Sequence, residues 1–234
     1  MEDYMKEVIN LIDLSQNKPL NEIIYEGLRT AIIRGVIPTG ARINEKSYAE
    51  RLNVSRTPIR EALRRIQTEE IVEYIPNYGI VVRQFSVEDV EEIYRLRIAL
   101  DILAAENAMK MMSEENFETM TKLLDATDEA QQQNDVRLVI DLSRDFNSLI
   151  YEYARMPRLG AIQNRLRDYL QRFRDISLTA DERRARALSE HRLIFRCLKS
   201  KDIDQLKMVI TEHLALSQEF ILVELRKELE SNNG

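Results

Sequence analysis

Between residues 20 and 66 the apolar positions recur at helical spacing and are interrupted at short intervals by turn residues. In "NEIIYEGLRTAIIRG", Ile24, Leu28, Ala31 and Ile32 share one face and Gly35 supplies a stop, which predicts a helix over 21–34. "IPTGARI" carries a Pro-x-Gly turn, and "NEKSYAERL" predicts a second short helix with Tyr48, Ala49 and Leu52 inward. After the tight turn "NVS", Ser55 is placed to cap a third helix beginning at Arg56. Pro58 falls in the first turn of that helix, where its missing N–H would have had no intrahelical partner, so it marks a start and not a break. Ile59, Ala62, Leu63 and Ile66 form the buried stripe. The period then changes: "IVEYIPNYGIVVR" has apolar and β-branched residues on both sides of "PNYG", the signature of a two-stranded hairpin.

Three helices and a hairpin over 20–83 make a winged helix-turn-helix, preceded by an N-terminal extension, 1–19, that is also expected to be helical. From 84 to 230 the pattern is helical throughout. "SVEDVEEIYRLRIALDILAAENAMKMM" opens with a Ser86-to-Asp89 capping-box spacing and puts Val90, Ile93, Leu96, Leu100, Leu103 and Ala104 on one face. Further helices are predicted over 114–132, 135–154, 157–176, 181–200 and 202–230, and the tail "SNNG" is expected to fray. The fold class is therefore mainly α, a winged helix-turn-helix followed by an all-helical bundle of six to seven helices.

Composition agrees: 44% of the 234 residues are hydrophobic and 32% charged, with six glycines and no tryptophan. No run of apolar residues is long enough to span a membrane and the N-terminus is charged, so a cytoplasmic protein is expected. The lone cysteine, Cys197, has no intramolecular partner and reads as a small buried residue.

Charge changes the picture more. The net charge is -6, yet residues 1–83 are neutral and the whole deficit lies in 84–234. Within 51–65 there are five arginines against one acid, Glu61. On the third helix Arg56, Arg60 and Arg64 recur at i, i+4, i+8, on a face other than the buried one. A charged stripe alone is usually a solvated face. Following a short helix and a tight turn, however, the N-terminal residues of this helix are those that enter a DNA major groove. Guanidinium groups pair bidentately with guanine or with phosphate oxygens. Arg56, Thr57 and Arg60, with Ser55 beside them, are the candidates for reading bases. Lys46 and Arg64 are candidates for phosphates, and the wing tip, Asn77 to Gly79, for the backbone or minor groove.

"GVIPTGARINEKSYAERLNVSRTPIREALRRIQTEEIVEYIPNYGIVV" resembles the DNA-binding domain of the GntR family of bacterial transcription regulators. "IYRLRIALDILAAENA" and "SEHRLIFRCLKSKDIDQLKMVITEHL" are similar to the FCD ligand-binding domain of its FadR subfamily. The resemblance covers about 20 to 226. It implies DNA contacts from Arg56 and Arg60, a homodimer on a pseudo-palindromic operator, and a small effector held in the helical domain.

In FCD domains an Asp and a His four residues apart, with two later histidines, commonly hold a divalent metal such as zinc. His191 and His213 match the later pair, but Ser143 and Asn147 stand in the first two positions. Both are weak neutral ligands, so no metal cofactor is expected; if one were held, Asn147, His191 and His213 would hold it. Arg97 matches an arginine that such domains use to grip a carboxylate. Arg97, Ser143, Asn147, His191 and His213 are therefore the candidate effector residues, with Arg144, Tyr151, Arg155 and Arg165 as further candidates. The expected effector is a di- or tricarboxylate; within the family the chain looks most like regulators of citrate-utilisation genes. A metal-dependent carboxylate sensor and a non-sensing DNA-binding adaptor are the alternatives. No nucleophile motif, catalytic carboxylate pair or phosphate-binding glycine loop is present, so an enzyme is not expected.

Overall fold

A computed structural model describes residues 3–232, which divide into two compact units between Phe85 and Ser86. The first unit contains α1 (Asp3–Asn10), α2 (Leu20–Ile33), β1 (Arg42–Ile43), α3 (Glu45–Leu52), α4 (Arg56–Thr68), β2 (Val72–Ile75) and β3 (Gly79–Val82). Helices α2, α3 and α4 bury Ile24, Leu28, Tyr48, Ile59, Leu63 and Ile66 against one another. Met5 and Val8 of α1, with Ile12 just after it, are buried as well. The chain following α1 passes so close to α2 that a Cβ on Gly27 would sit 3.1 Å from the Leu11 carbonyl oxygen. Only glycine leaves that space.

Local chemistry sets the ends of the DNA-binding helices. Asn44 caps α3, its side-chain oxygen accepting from the backbone N–H of Lys46 at 3.0 Å and of Ser47 at 3.3 Å. Asn53, at φ 54, turns the chain between α3 and α4. Ser55 occupies the N-cap position of α4, yet its hydroxyl caps nothing, contrary to the sequence expectation. The donor such a cap most often engages lies three residues on, and that residue is Pro58, which has no N–H. The hydroxyl of Ser55 is left at the surface of the helix start.

The sheet is antiparallel with the order β1-β3-β2. Ile75 faces Gly79 across the hairpin, and the turn closes with the Tyr78 N–H donating to the Ile75 carbonyl at 3.1 Å. Pro76 followed by Asn77 at φ 62 suits a type II turn. At two residues, β1 is too short for a period to reveal, and the sequence reading treated it as part of a turn.

The described residues of the second unit form seven helices: α5 (Val87–Met111), α6 (Glu114–Gln132), α7 (Val136–Tyr153), α8 (Pro157–Tyr169), α9 (Gln171–Ser177), α10 (Asp181–Ser200) and α11 (Ile203–Asn232). The capping box at the head of α5 is formed: Asp89 N–H donates to Ser86 Oγ at 3.1 Å, and Ser86 N–H to Asp89 Oδ2 at 2.9 Å. Helix α5 is central, packing against α7, α8, α10 and α11. Its buried face differs from the one the leucines suggest. Val90, Ile93, Tyr94, Arg97, Asp101, Ala104, Ala105 and Ala108 point inward, whereas Leu96 and Leu103 are 47% and 45% exposed. Residues 157–176, expected as one helix, are two, broken at Leu170. No glycine or proline marks the break; Leu170 and Phe173 are both buried there. Cys197 is buried, and burial pushes its thiol pKa up. The tail expected to fray lies partly in α11 and otherwise outside the described residues.

Candidate nucleic-acid interface and candidate effector cavity

In the first unit, α4 and the hairpin enclose an open groove of about 420 Å³. Helical spacing brings Arg56, Arg60 and Arg64 to its wall, and β1 adds Arg42, whose guanidinium lies 5.2 Å from the ring centre of Tyr78. Gly79, at φ 112, lines the groove where the wing begins its return. Lys46, Ser55, Thr57 and Asn77 are exposed but lie outside the groove. Lys46 Nζ is 3.7 Å from Glu50 on the same helix. The sequence reading missed Arg42 and Glu45. Glu45 Oε2 accepts from Arg56 Nη2 at 3.2 Å and from Arg60 Nη2 at 3.2 Å and Nε at 3.3 Å. Its position as first residue of α3, after a capping asparagine, was the available signal.

In the second unit a cavity of about 20 Å³, room for one water, is lined by Arg97, Ser143, Leu178, Arg183, Ala187, His191, His213 and Ser217. Four of the five residues predicted for the effector meet here. Asn147 does not: it turns back on its own helix and donates to the Ser143 carbonyl at 2.9 Å. Among the further candidates, Arg144 pairs with Asp141 at 3.2 Å, Arg155 and Arg165 are exposed, and Tyr151 lies deeper. Arg183 and Ser217 were not anticipated. Arg183 sits in the charged run "DERRARALSEHR" and reads as solvated, though Arg183, Ala187 and His191 fall at i, i+4, i+8. Ser217 likewise follows His213 by four residues.

The cavity is cationic. Arg97 is 4% and Arg183 5% exposed, and in each the Nε and Nη1 atoms are buried without a hydrogen-bond partner. Arg97 lies 4.8 Å from the Tyr94 ring centre, and Tyr94 in turn shares a 2.8 Å hydrogen bond with Ser217. Burial works against the charge of Arg97, but Tyr94, Asp101 and Tyr151 outweigh it and raise the pKa. Burial lowers that of Arg183. Glu190 offsets part of the charge, 3.6 Å from Arg183 Nη1 and 3.2 Å from Arg186 Nε. His191 stacks on Phe146 with ring centres 4.4 Å apart and lies 5.1 Å from His213. Behind Arg97, Asp101 Oδ1 accepts from the Tyr151 hydroxyl and from Gln163 Nε2, each at 2.5 Å. Arg167, 3% exposed, lies in the same region and has its pKa lowered by burial.

These donors do not suit a divalent metal. The cavity offers two imidazoles and two hydroxyls, and two guanidinium groups share the same space and would repel a cation. Among the described residues no group of three or more His, Cys, Asp or Glu side chains is placed to hold one. Buried N–H groups lacking partners suit an anion.

Three α-helices with a β-hairpin wing, followed by a helical bundle that encloses a polar cavity, define a DNA-binding transcription regulator. The sequence pattern of the bacterial regulatory proteins of the gntR family matches residues 20–82, and that of the FCD domain matches 92–216. The chain belongs to the gntR family and carries an FCD domain; the family consists of regulators, not enzymes. It is 30% identical over 190 residues to the HTH-type transcriptional regulator YdhC of Bacillus subtilis, covering 81% of this chain and 85% of that protein. It is 26% identical over 185 residues to the gluconate operon transcriptional repressor of the same organism, covering 77% of this chain and 75% of that one. The solved structure of McbR/YncC from E. coli has the same fold, with a TM-score of 0.72, 23% identity and coverage of 88% and 99%. Among the described residues no helix is long and apolar enough to cross a membrane.

Proposed function

We propose that this regulator, a member of the FadR subfamily, acts in the cytoplasm as a homodimer on a pseudo-palindromic operator. A small di- or tricarboxylate, such as citrate, bound in the helical unit controls it. The observation that carries the effector reading is the pair of guanidinium groups, Arg97 and Arg183, which line one cavity and whose Nε and Nη1 atoms are buried without a hydrogen-bond partner. An uncompensated buried N–H is costly, and a carboxylate oxygen relieves it. Ser143, Ser217, His191 and His213 add polar contacts. A relative named as the gluconate operon repressor supports a carboxylate as the ligand class, although gluconate itself carries a single carboxyl group. The cavity as it stands holds no more than a water, so a carboxylate binds only by opening it. That is how ligand and conformation become linked, because the effector must favour one arrangement over another to change DNA binding.

DNA is read by Arg56, Thr57 and Arg60 at the start of α4, with Ser55 beside them. Arg64, Lys46 and the wing residues Asn77 and Gly79 hold the backbone. The exposed Leu96, Ala99 and Leu103 of α5 form an apolar stripe that a second copy would cover. A thermal-shift screen of carboxylic acids, with and without EDTA, tests the effector reading, since a bound ligand raises the melting temperature by mass action. A di- or tricarboxylate hit insensitive to EDTA is expected. A hit abolished by EDTA would restore the metal-dependent reading, and the absence of any hit would favour the non-sensing adaptor.

A further inference from the structure

Among the described residues that line the groove of the first unit, Glu45 is the only acidic one. A carboxylate facing DNA is opposed by the interaction that dominates protein–DNA affinity, the attraction of cationic side chains for phosphates. Its contacts indicate what it supplies in return. One oxygen, Oε2, receives three hydrogen bonds from two arginines on successive turns of α4, Arg56 and Arg60. Both arginines are otherwise exposed, with 57% and 48% of their side-chain surface open, whereas the Glu45 side chain is at 21%. The more covered carboxylate therefore anchors the two more open guanidinium groups. Arg60 spends its Nε and Nη2 edge on Glu45, which leaves Nη1 and the end of the fork directed away from the carboxylate.

We propose that Glu45 is a specificity-determining positioning residue. It holds Arg56 and Arg60 in one shared arrangement suited to base edges, and it keeps them from acting as general phosphate contacts. The three side chains together carry one positive charge, and without the carboxylate they carry two. Non-specific binding follows charge, whereas base recognition follows the placement of the fork. Glu45 therefore lowers affinity for arbitrary duplex while raising the preference for the operator, which is discrimination by penalising the wrong partner. This inference rests on the reading of Arg56 and Arg60 as base contacts.

The test uses the full chain. The wild type selects its operator from random-sequence duplexes. Dissociation constants are then measured on that operator and on a scrambled duplex of equal length, over a range of salt, for wild type, Glu45→Gln, Glu45→Asp and Arg60→Ala. Glu45→Gln should bind the scrambled duplex roughly three- to tenfold more tightly, with a salt slope steeper by about 0.9, the value of one added phosphate contact. Its operator-to-scrambled ratio should fall. Glu45→Asp keeps the charge but is one methylene short of both arginines; it should bind scrambled duplex as the wild type does and still lose part of the ratio. Thermal unfolding of each variant checks the fold, and should Glu45→Gln fail to fold, the ratio for Glu45→Asp decides. An unchanged ratio in the folded variants, or equal weakening on both duplexes, overturns the proposal. Arg60→Ala separates this from failure of its premise: if it keeps the full preference, Arg60 does not read bases. If it loses the preference while the Glu45 variants keep theirs, only the role of Glu45 falls.

Discussion

His213 Nδ1 lies 2.7 Å from Glu190 Oε2 at the cavity wall. A carboxylate only accepts, so Nδ1 carries the hydrogen and the neutral ring keeps its lone pair on Nε2. Burial pushes the His213 pKa below its ordinary value of 6.5; Glu190 opposes that shift, while Arg183 and Arg97 reinforce it. The folded state thus favours the neutral ring, and the unfolded chain binds the proton more readily. Stability is fully present above the unfolded value and is lost as pH falls from there through the lower folded-state value. His213→Gln should flatten that part of the melting-temperature profile. An anionic ligand favours the imidazolium, so its binding should take up a proton and tighten as pH falls towards the lowered folded-state value. Calorimetry in two buffers of different ionisation enthalpy reads the proton uptake directly.

Tyr151 donates to Asp101 at 2.5 Å from a buried position, and burial raises its own pKa well above the usual phenol range. Tyr151→Phe removes one of the hydrogen bonds to a buried carboxylate. It should cost about 1.5–3 kcal/mol in urea unfolding, the range for a hydrogen bond to a charged group. A value near zero would mean that another donor replaces the hydroxyl.

Arg60 and Arg64 share a groove but are assigned different work. Arg60→Ala should cost about 1–3 kcal/mol and relax selection at one base position. Arg64→Ala should weaken binding to all sequences alike and reduce the salt slope by about 0.9. Binding to matched and singly substituted operators at several salt concentrations distinguishes them.

Gly27 faces the backbone of residue 11 across the joint between α2 and the N-terminal extension. Gly27→Ala overfills that joint and should destabilise the protein by about 1–3 kcal/mol, as overpacking generally does. Heightened protease sensitivity within the first twelve residues would locate the loss at α1.

How far the sequence revealed these features depends on how local their causes are. Helix α4 was legible because its start, its apolar stripe and its arginine row are all set within fourteen residues. The capping box at Ser86 was legible for the same reason. Arg97 was found through family likeness and not through pattern, because the leucines of α5 indicated a different inward face. Leu96 and Leu103 remain exposed, while Arg97 and Asp101 are covered by α7, α8, α10 and α11, and no local period records that. The break at Leu170 leaves no local mark either. Arg183 is buried because its helix packs with the row through Ala187 to His191 inward; the spacing held that information, but the surrounding charge obscured it. Glu45 matters only through side chains eleven and fifteen residues away, beyond any single-element pattern.

Control of DNA binding by an anion held between Arg97 and Arg183 is open to direct measurement. It is tested most directly by measuring operator affinity with and without the carboxylate that stabilises the wild type, in wild type, Arg97→Gln and Arg183→Gln. The ligand should change wild-type affinity, in either direction, by roughly five- to 150-fold, the usual span of allosteric coupling. Both variants should keep wild-type affinity without ligand and show no response to it. A full ligand response in either variant would show that the effector is not held by that arginine.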